Sequence, residues 1–454
     1  MSSNISLPSI WPWETLDSVK ALGRSVVSGP FGSNIGKRFF VDQGVPVIRG
    51  NNLSLSMTQF SDRGFVYLTE EKSAEFKNCE AHPGDLIFTA AGTIGQVGLI
   101  PAKPIYKKYI ISNKQLRARL DIERVLPLFA YYWFTSPIMV AMIQSRNTGS
   151  TIPLINLSVL KSLPIPLPPL TIQLEIANFL GALDDRITLL RETNATLEAI
   201  AQAMFKSWFI DFDPVRAKQE GREPEGMDAA TAALFPSNFE ESELGLVPTG
   251  WRVGNLGDNT IYLNRGISPK YLECGGILVI NQKCIRDFIL DLEKSRRHDI
   301  AQRKIDGREL LIGDVLVNST GVGTLGRVAQ VLSIDEPMIV DSHVTVVRAG
   351  DNLTWNYLGL SMMQRQSEIE DLGEGTTGQT ELSRMKLAIL KLVLPPQTVL
   401  NKFDQITLPL RQKFSDNLKQ AQTLATLRDT LLPRLISGQL RLPEADAIIE
   451  KAAA

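Results

Sequence analysis

Two glycine-aspartate turns, Gly84-Asp85 and Gly313-Asp314, each open an apolar run of β-type residues. An aspartate there can ligate a metal, as in nucleases, or bond the amides of its own turn. No Glu-x-Lys triplet stands at a fitting distance, so the turn role is expected. Gly92-x-x-Gly95-x-x-Gly98 is glycine-rich but lacks the dinucleotide fingerprint, and no phosphate-binding Gly-x-x-x-x-Gly-Lys-[Ser/Thr] loop occurs. Neither a Gly-x-Ser-x-Gly elbow nor a His-Glu-x-x-His pair is present. Both Pro-Pro pairs lie in Leu-Pro-Pro, where the leucine cannot bind the exocyclic amine that an amino-methyltransferase must hold. Cys79, Cys274 and Cys284, like His82, His298 and His343, are too dispersed for a disulfide framework or a zinc site. The chain is therefore expected to have no catalytic residue, no metal and no cofactor.

Other side chains suit recognition. Arg, Asn and Gln can pair bidentately with guanine and adenine edges, and clustered Lys and Arg suit phosphates. In the first half the candidates are Lys37 and Arg38 in a turn, and Arg49, Asn51 and Asn52 at the end of an apolar strand. Lys103, Lys107 and Lys108 form a cluster, and Arg146, Asn147, Ser150 and Thr151 lie in a glycine-bearing loop. In the second half, Asn281, Gln282, Lys283 and Arg286 take the place of the Arg49 segment. Arg296 and Arg297 follow in a basic stretch, and Thr377, Gln379 and Thr380 repeat the polar loop. Taken singly, each could equally be solvated surface; the clusters carry the reading.

The elements that must position these loops come twice. Residues 83–99, PGDLIFTAAGTIGQVGL, are echoed by residues 312–329, IGDVLVNSTGVGTLGRVA. Gly84 and Gly313 are 229 apart, as are Gly149 and Gly378, and Leu167 and Leu394 are 227 apart. A period of that length means two copies of a whole unit rather than a solenoid. Short Val/Ile-rich runs punctuated by Gly and Pro read as strands and turns. Helical insertions are expected near Leu126–Gln144 and Trp355–Ile369. After each Leu-Pro-Pro the pattern changes. From Ile176 through Leu180, Leu183, Ile187, Leu190, Asn194, Leu197, Ala201 and Met204 to Trp208, the spacings alternate four and three, a coiled-coil seam. The second copy is less regular, and Pro409 should kink it or delay its start. Asn194 either sets the register of the seam or is a surface residue on a loosely packed turn. The order module, helix, module, helix places the two helices antiparallel if each module's termini lie close together.

The whole chain has 454 residues, too many for one ordinary core, with 44% apolar and 21% charged residues and a formal net charge of −1. Any nucleic-acid binding must rest on local positive charge. The first residues show no basic segment followed by an apolar run, and no stretch approaches the ~20 apolar residues of a membrane span. No membrane association and a cytoplasmic location are expected.

Three further segments carry a family resemblance. They are Gly149-Ser150-Thr151-Ile152-Pro153 through Leu163-Pro164-Ile165-Pro166-Leu167-Pro168-Pro169, the run from Leu197 to Lys218 that includes Phe205-Lys206-Ser207-Trp208-Phe209, and Leu431-Leu432-Pro433-Arg434-Leu435-Ile436-Ser437-Gly438-Gln439-Leu440. With these the sequence resembles the specificity subunits of Type I restriction-modification systems over nearly its whole length. The resemblance implies an α+β chain: two mixed α/β target recognition domains in pseudo-two-fold repeat, separated by two long antiparallel coiled-coil helices. The expected divisions are 1–165 and 246–393 for the recognition domains, 166–212 and 394–440 for the spacer helices, 213–245 for a linker and 441–454 for a tail. It further implies a non-catalytic reader of double-stranded DNA, each domain taking one half of a bipartite, asymmetric site. Two DNA-methyltransferase subunits would dock on the helices, and motor-nuclease subunits would join them. Phe205, Trp208, Phe209 and Phe212, bunched at the end of the first helix, suit either partner docking or packing against the second module. Two other readings remain open: a coiled-coil scaffold with no DNA role, and a fused restriction-methylation enzyme, which the missing methyltransferase motif disfavours.

Overall fold

The 227–229-residue repeat of the sequence is a repeat of sheets and helices in a computed structural model, which describes residues 10–55, 59–374 and 380–453. The chain divides into two units, residues 1–189 with 420–454, and residues 190–419.

In the first unit, one four-stranded antiparallel sheet has the order Val26–Ser28, Gln115–Ala118, Leu86–Thr89, Val97–Leu99. A second, mixed sheet has the order Val66–Leu68, Val45–Ile48, Tyr109–Ile111, Glu80–Ala81, with Val45–Ile48 and Tyr109–Ile111 parallel. The inner strands of both sheets are covered on both faces; all four residues of Val45–Ile48 and of Leu86–Thr89 are buried. The expected helical insertion is a pair of short helices, Pro127–Thr135 and Pro137–Ser145. Each starts on a proline, where the missing amide costs nothing.

The second unit repeats this plan. Its antiparallel sheet is Thr260–Arg265, Val344–Ala349, Val315–Asn318, Val328–Gln330, and its mixed sheet is Tyr271–Leu272, Arg296–His298, Ile277–Ile280, Met338–Val340. Again the strand before the polar turn, Ile277–Ile280, pairs in parallel with a neighbour, Met338–Val340, which here is the edge strand. The helices Trp355–Gln364 and Gln366–Asp371 occupy the place of the first unit's short pair.

The turn aspartates are structural. Asp85 Oδ2 accepts the His82 amide at 2.8 Å, and the carboxylate grips Arg119 through Nε and Nη2, both at 2.7 Å. Asp314 does the same with the Leu311 amide at 2.8 Å and with Arg348 at 2.6 and 2.7 Å. Donors and acceptors recur at the 229-residue offset, and both aspartates are fully buried. Such forked charge-assisted pairs fix the hairpin to the neighbouring strand. Gly84 and Gly313 precede them in the left-handed region, at φ +83° and +95°, where a side chain would be strained.

Two helices of 40 residues, Leu170–Phe209 and Gln397–Ile436, pass through both units. They are offset by 227 residues at both ends and are each roughly 60 Å long at ~1.5 Å per residue. The second helix begins upstream of Pro409, so that proline does not delay its start. The ring only deprives the Gln405 carbonyl of its helical partner, and the seam on either side carries the turn. Asn194 is buried in the second unit. Its Nδ2 donates to the Phe414 carbonyl at 3.0 Å, and its Oδ1 accepts from Asn417 Nδ2 at 3.0 Å. In the same unit Phe205 packs against Phe403 with ring centroids 6.2 Å apart. Contacts that pair 194 with 417 and 205 with 403 run in opposite senses, as expected for antiparallel helices. Asn194 is thus a polar contact across the seam and not a surface residue.

The segment after the first long helix folds as well. Phe212, at φ 56°, turns the chain into the short helix Asp213–Gln219, and Phe239–Ser242 pairs with Gly245–Pro248 in a hairpin. At the chain's other end, the helix Leu442–Ala453 lays Leu442, Ala445, Ile448 and Ile449 against the core of the first unit.

Candidate nucleic-acid interface

In each unit the polar loops meet at one edge of the sheets, and main-chain hydrogen bonds tie them there. In the first unit, strand Val45–Ile48 runs into the tight turn Gly50–Asn52. The Ile48 carbonyl accepts the Ser112 amide at 2.9 Å; the Ala90 amide donates to the Lys114 carbonyl at 2.7 Å; the Ile155 amide donates to the Ala90 carbonyl at 2.8 Å. Gln96 Nε2 reaches across to the Leu53 carbonyl at 3.1 Å. Segments 49–53, 90–96, 112–114 and 147–155 therefore form one rim, on which Arg49, Asn51, Thr93, Lys114, Ser150 and Thr151 are exposed.

The second unit builds the same rim with the same bonds. The Asp341 amide donates to the Ile280 carbonyl at 2.9 Å, the Ser319 amide to the His343 carbonyl at 2.8 Å, and the Leu382 amide to the Ser319 carbonyl at 2.8 Å. Here Lys283, Val322 and His343 are exposed, Gln282 and Thr320 are half-buried, and Thr380 lies at the margin. Thr320 Oγ1 and His343 Nδ1 share a 2.8 Å hydrogen bond. The tips differ where the frame agrees: Thr93 stands where the second unit has Val322, and Lys114 where it has His343.

Several expected readers turn out to be frame. Asn52 is only 1% exposed; its Oδ1 accepts the Arg49 amide, and its Nδ2 donates to the Ser61 and Arg63 carbonyls, all at 2.9 Å. Asn281 is buried too, with Nδ2 on the Lys294 carbonyl and Oδ1 on the Lys283 amide, both at 2.8 Å. An amide spent on buried main chain has no edge left for a base. Asn147 Oδ1 holds its own loop through the amides of Gly149 and Leu154, and Arg146 is pinned to Ser162. Asn51 is exposed and bonds the Gly64 carbonyl at 3.0 Å.

Of the expected phosphate contacts, Lys103 and Lys107 are exposed, whereas Lys108 pairs with Glu70 at 3.0 Å. Arg297 is engaged fork-to-fork with Glu336 at 2.5 and 2.8 Å. Arg296 is exposed, its guanidinium 3.4 Å above the centre of the Tyr271 ring, and Arg286 is exposed beside Asp287. Lys37 and Arg38 sit on the turn Lys37–Phe39. The segment before that turn joins the first rim through the Gly29 amide, which donates to the Gln115 carbonyl at 3.0 Å, and it exposes Phe31 almost fully. Thr377 and Gln379 lie outside the described residues.

The aromatic cluster is a core, and its expected docking role is corrected here. Phe205, Trp208, Phe209 and Phe212 are buried among Phe235, Trp251, Tyr357 and Phe403. Phe209 meets Tyr357 edge-on at 4.9 Å and Phe403 at 5.0 Å. Apolar rings at helical spacing serve packing and docking alike, and only the neighbours tell the two apart.

Sequence reasoning missed Thr93, Lys114, Val322 and His343. The signal was in the repeat, whose glycine-flanked tips place 93 opposite 322. Among the described residues no group of three or more His, Cys, Asp or Glu could hold a metal ion, and no helix is long and apolar enough to cross a membrane.

Residues 37–199 match the family model of the Type I restriction modification DNA specificity domain. Over that span the chain is similar to Type I specificity domains. The similarity to specificity subunits extends well beyond that domain's matched span. The MjaIX specificity subunit of Methanocaldococcus jannaschii is 27% identical over 423 residues, 88% of each chain. The HindI specificity subunit of Haemophilus influenzae is 25% identical over 378 residues, covering 73% of this chain and 81% of that protein. The S subunit structure from M. genitalium covers 96% of this chain and 98% of its own, with a TM-score of 0.55 at 17% identity. The specificity domain's mixed helix-and-strand fold and its long helices are thus shared with a solved S subunit.

Proposed function

We propose that the two modules each read one half of a bipartite, asymmetric duplex DNA target. In this reading the chain does no chemistry itself and directs the methyltransferase and motor-nuclease subunits that join it. The observation that carries it is the duplicated rim, which has the same main-chain frame and different side chains at the tips. A frame held by main chain can present different readers, so the two half-sites should differ and the site should not be a palindrome. Side chains such as Arg49, Asn51, Gln282 and Lys283 would face base edges, while Lys103, Lys107, Arg296 and Lys114 would meet phosphates and set register. The half-sites would lie about one helical turn apart, ~34 Å or ~10 bp, with the spacer between them unread. The domain boundaries 1–165 and 246–393 are the modules we propose as exchangeable.

Methyltransferase docking would use the outer faces of the long helices, where Leu174, Leu189 and Ile200 on the first and Ile406 and Leu418 on the second are exposed. Replacing residues 1–165 by the module of another specificity subunit, then mapping methylated sites genome-wide, tests the reading. One half-site should change and the other persist. A continuous target, or a change in both halves, would overturn it, and a chain that shifts no DNA even with its methyltransferase would favour the scaffold reading.

A further inference from the structure

Val322 is an apolar side chain placed where folding gains nothing from it. It is 79% exposed, at the tip of the loop Thr320-Gly321-Val322-Gly323-Thr324 on the rim of the second module. The loop around it is held firmly. Asn318 Nδ2 donates to the Thr324 carbonyl at 3.0 Å and to the Gln282 carbonyl at 3.1 Å. Arg327 Nη2 donates to the Gly323 carbonyl at 2.7 Å, and the Leu325 and Gly326 amides donate to the Gly321 and Asn318 carbonyls at 3.0 and 2.8 Å. Gly321 and Gly323 take φ of +107° and +70°. A Cβ at Gly321 would run into Thr324 Oγ1 and the Gln282 side chain, so the loop seats directly on the neighbouring turn. The Gly321, Gly323 and Thr324 carbonyls accept hydrogen bonds from neighbouring groups, and the side chain at the tip is β-branched, with few rotamers to lose on contact.

The surroundings are polar. Lys283, Thr320 and His343 lie on the adjoining rim segments. An apolar knob among hydrogen-bond donors matches one feature of duplex DNA. In the major groove thymine alone displays a methyl group, at C5, beside the O4 acceptor.

We propose that Val322 reads a thymine methyl in the half-site of the second module. This inference rests on the proposal that each rim reads DNA. In the first module Thr93 holds the same tip, exposed between Gly92 and Gly95, and keeps a methyl group while adding a hydroxyl. Thymine specificity by methyl contact alone is therefore assigned to the second half-site.

The test uses the full chain with its methyltransferase and labelled duplexes carrying the mapped target. Each thymine of the second half-site is replaced singly by uracil, which removes only the methyl group. One such replacement should weaken wild-type binding about fourfold, the worth of one buried methyl at ~0.8 kcal/mol. Val322→Ala should weaken binding to the thymine duplex by a similar factor and should no longer respond to that replacement. Responses in the first half-site should be unchanged in the variant. A variant that binds the target yet keeps every wild-type uracil response overturns the assignment, as does a second half-site without thymine. Wild-type protein that binds no target, or a module exchange that alters both halves, overturns the underlying reading instead.

Discussion

The helix pair solves one problem differently in the two units. Position 184 of the first long helix corresponds to position 411 of the second, 227 residues on. In the first unit Asp184 is buried and accepts from Arg428 Nη1 at 2.5 Å and from Tyr132 Oη at 2.7 Å. Burial lifts the Asp184 carboxyl above its usual range, against the pull of the Arg428 guanidinium. In the second unit the equivalent residue is Arg411, 3% exposed, whose Nη2 donates to Gln330 Oε1 at 2.6 Å. Its Nε and Nη1 have no partner among the described residues. The position equivalent to Arg428 is Ala201, which offers no carboxylate. Burial holds the Arg411 guanidinium below its usual range, opposed only at a distance by Glu198 and Asp404. One unit thus buries a matched pair and the other a nearly unmatched cation. A repeated backbone does not repeat its electrostatics.

That comparison predicts opposite outcomes for the two arginines. Arg428→Ala leaves the buried Asp184 without its counter-ion, with only Tyr132 donating to it, and should cost the first unit about 3–5 kcal/mol. Arg411→Met removes a cation whose desolvation is poorly repaid, and should be neutral or stabilising by up to about 4 kcal/mol. Hydrogen exchange on peptides from each unit reads the effects separately, which a single melting curve of a two-unit chain does not. Equal losses at both positions would break the comparison. The turn aspartates are the nearer comparison, since the amide donor and the forked arginine recur in both units, although Asp85 also has Arg117 4.0 Å away where the second unit has Val346. Asp85→Asn and Asp314→Asn should each cost about 1.5–3 kcal/mol, the range for hydrogen bonds to charged groups, by the same readout.

Smaller effects sharpen the picture. Asn194→Ala orphans the Asn417 side chain and should cost about 1–3 kcal/mol; pairing it with Asn417→Leu should recover most of that loss, since apolar replacement of both partners removes the orphan. On the rim, Lys114→Ala should lower the slope of log affinity against log salt by about one, with little change in sequence preference, if its contact is to phosphate. A change of preferred sequence would make Lys114 a base reader. Leu189→Ser with Ile200→Ser should reduce co-purification of the methyltransferase, while the folded chain's exchange pattern stays unchanged.

Much of the architecture was legible because it lies in periodicity. The constant offsets announced two copies of one unit, and the alternation of four and three from Ile176 to Trp208 lies wholly within the first long helix, Leu170–Phe209. The second helix was harder, because Pro409 suggests an interruption that packing on either side overrides. The rim was legible as a set of loops but not as a set of readers. Arg49 and Asn52 are three residues apart and chemically alike in their promise; one points outward and the other ties the turn together. Asn281 deceived in the same way, and Arg297 could not be seen to have Glu336 as a partner 39 residues later. The aromatic run at Phe205–Phe212 carries the same pattern whether it packs or docks, and its partners, Tyr357 and Phe403, come from remote sequence. Val322 was passed over because an isolated valine in a strand-rich segment reads as core.

The bonds that close the two rims, Ala90 to Lys114 and Ser319 to His343, join main chain to main chain. They do not depend on which side chains stand at either position. If the tips read the target as proposed, a lineage of such chains can move from one target to another by single substitutions there, while the main-chain frame keeps each intermediate folded. Novelty in what is recognised is uncoupled from the risk of unfolding.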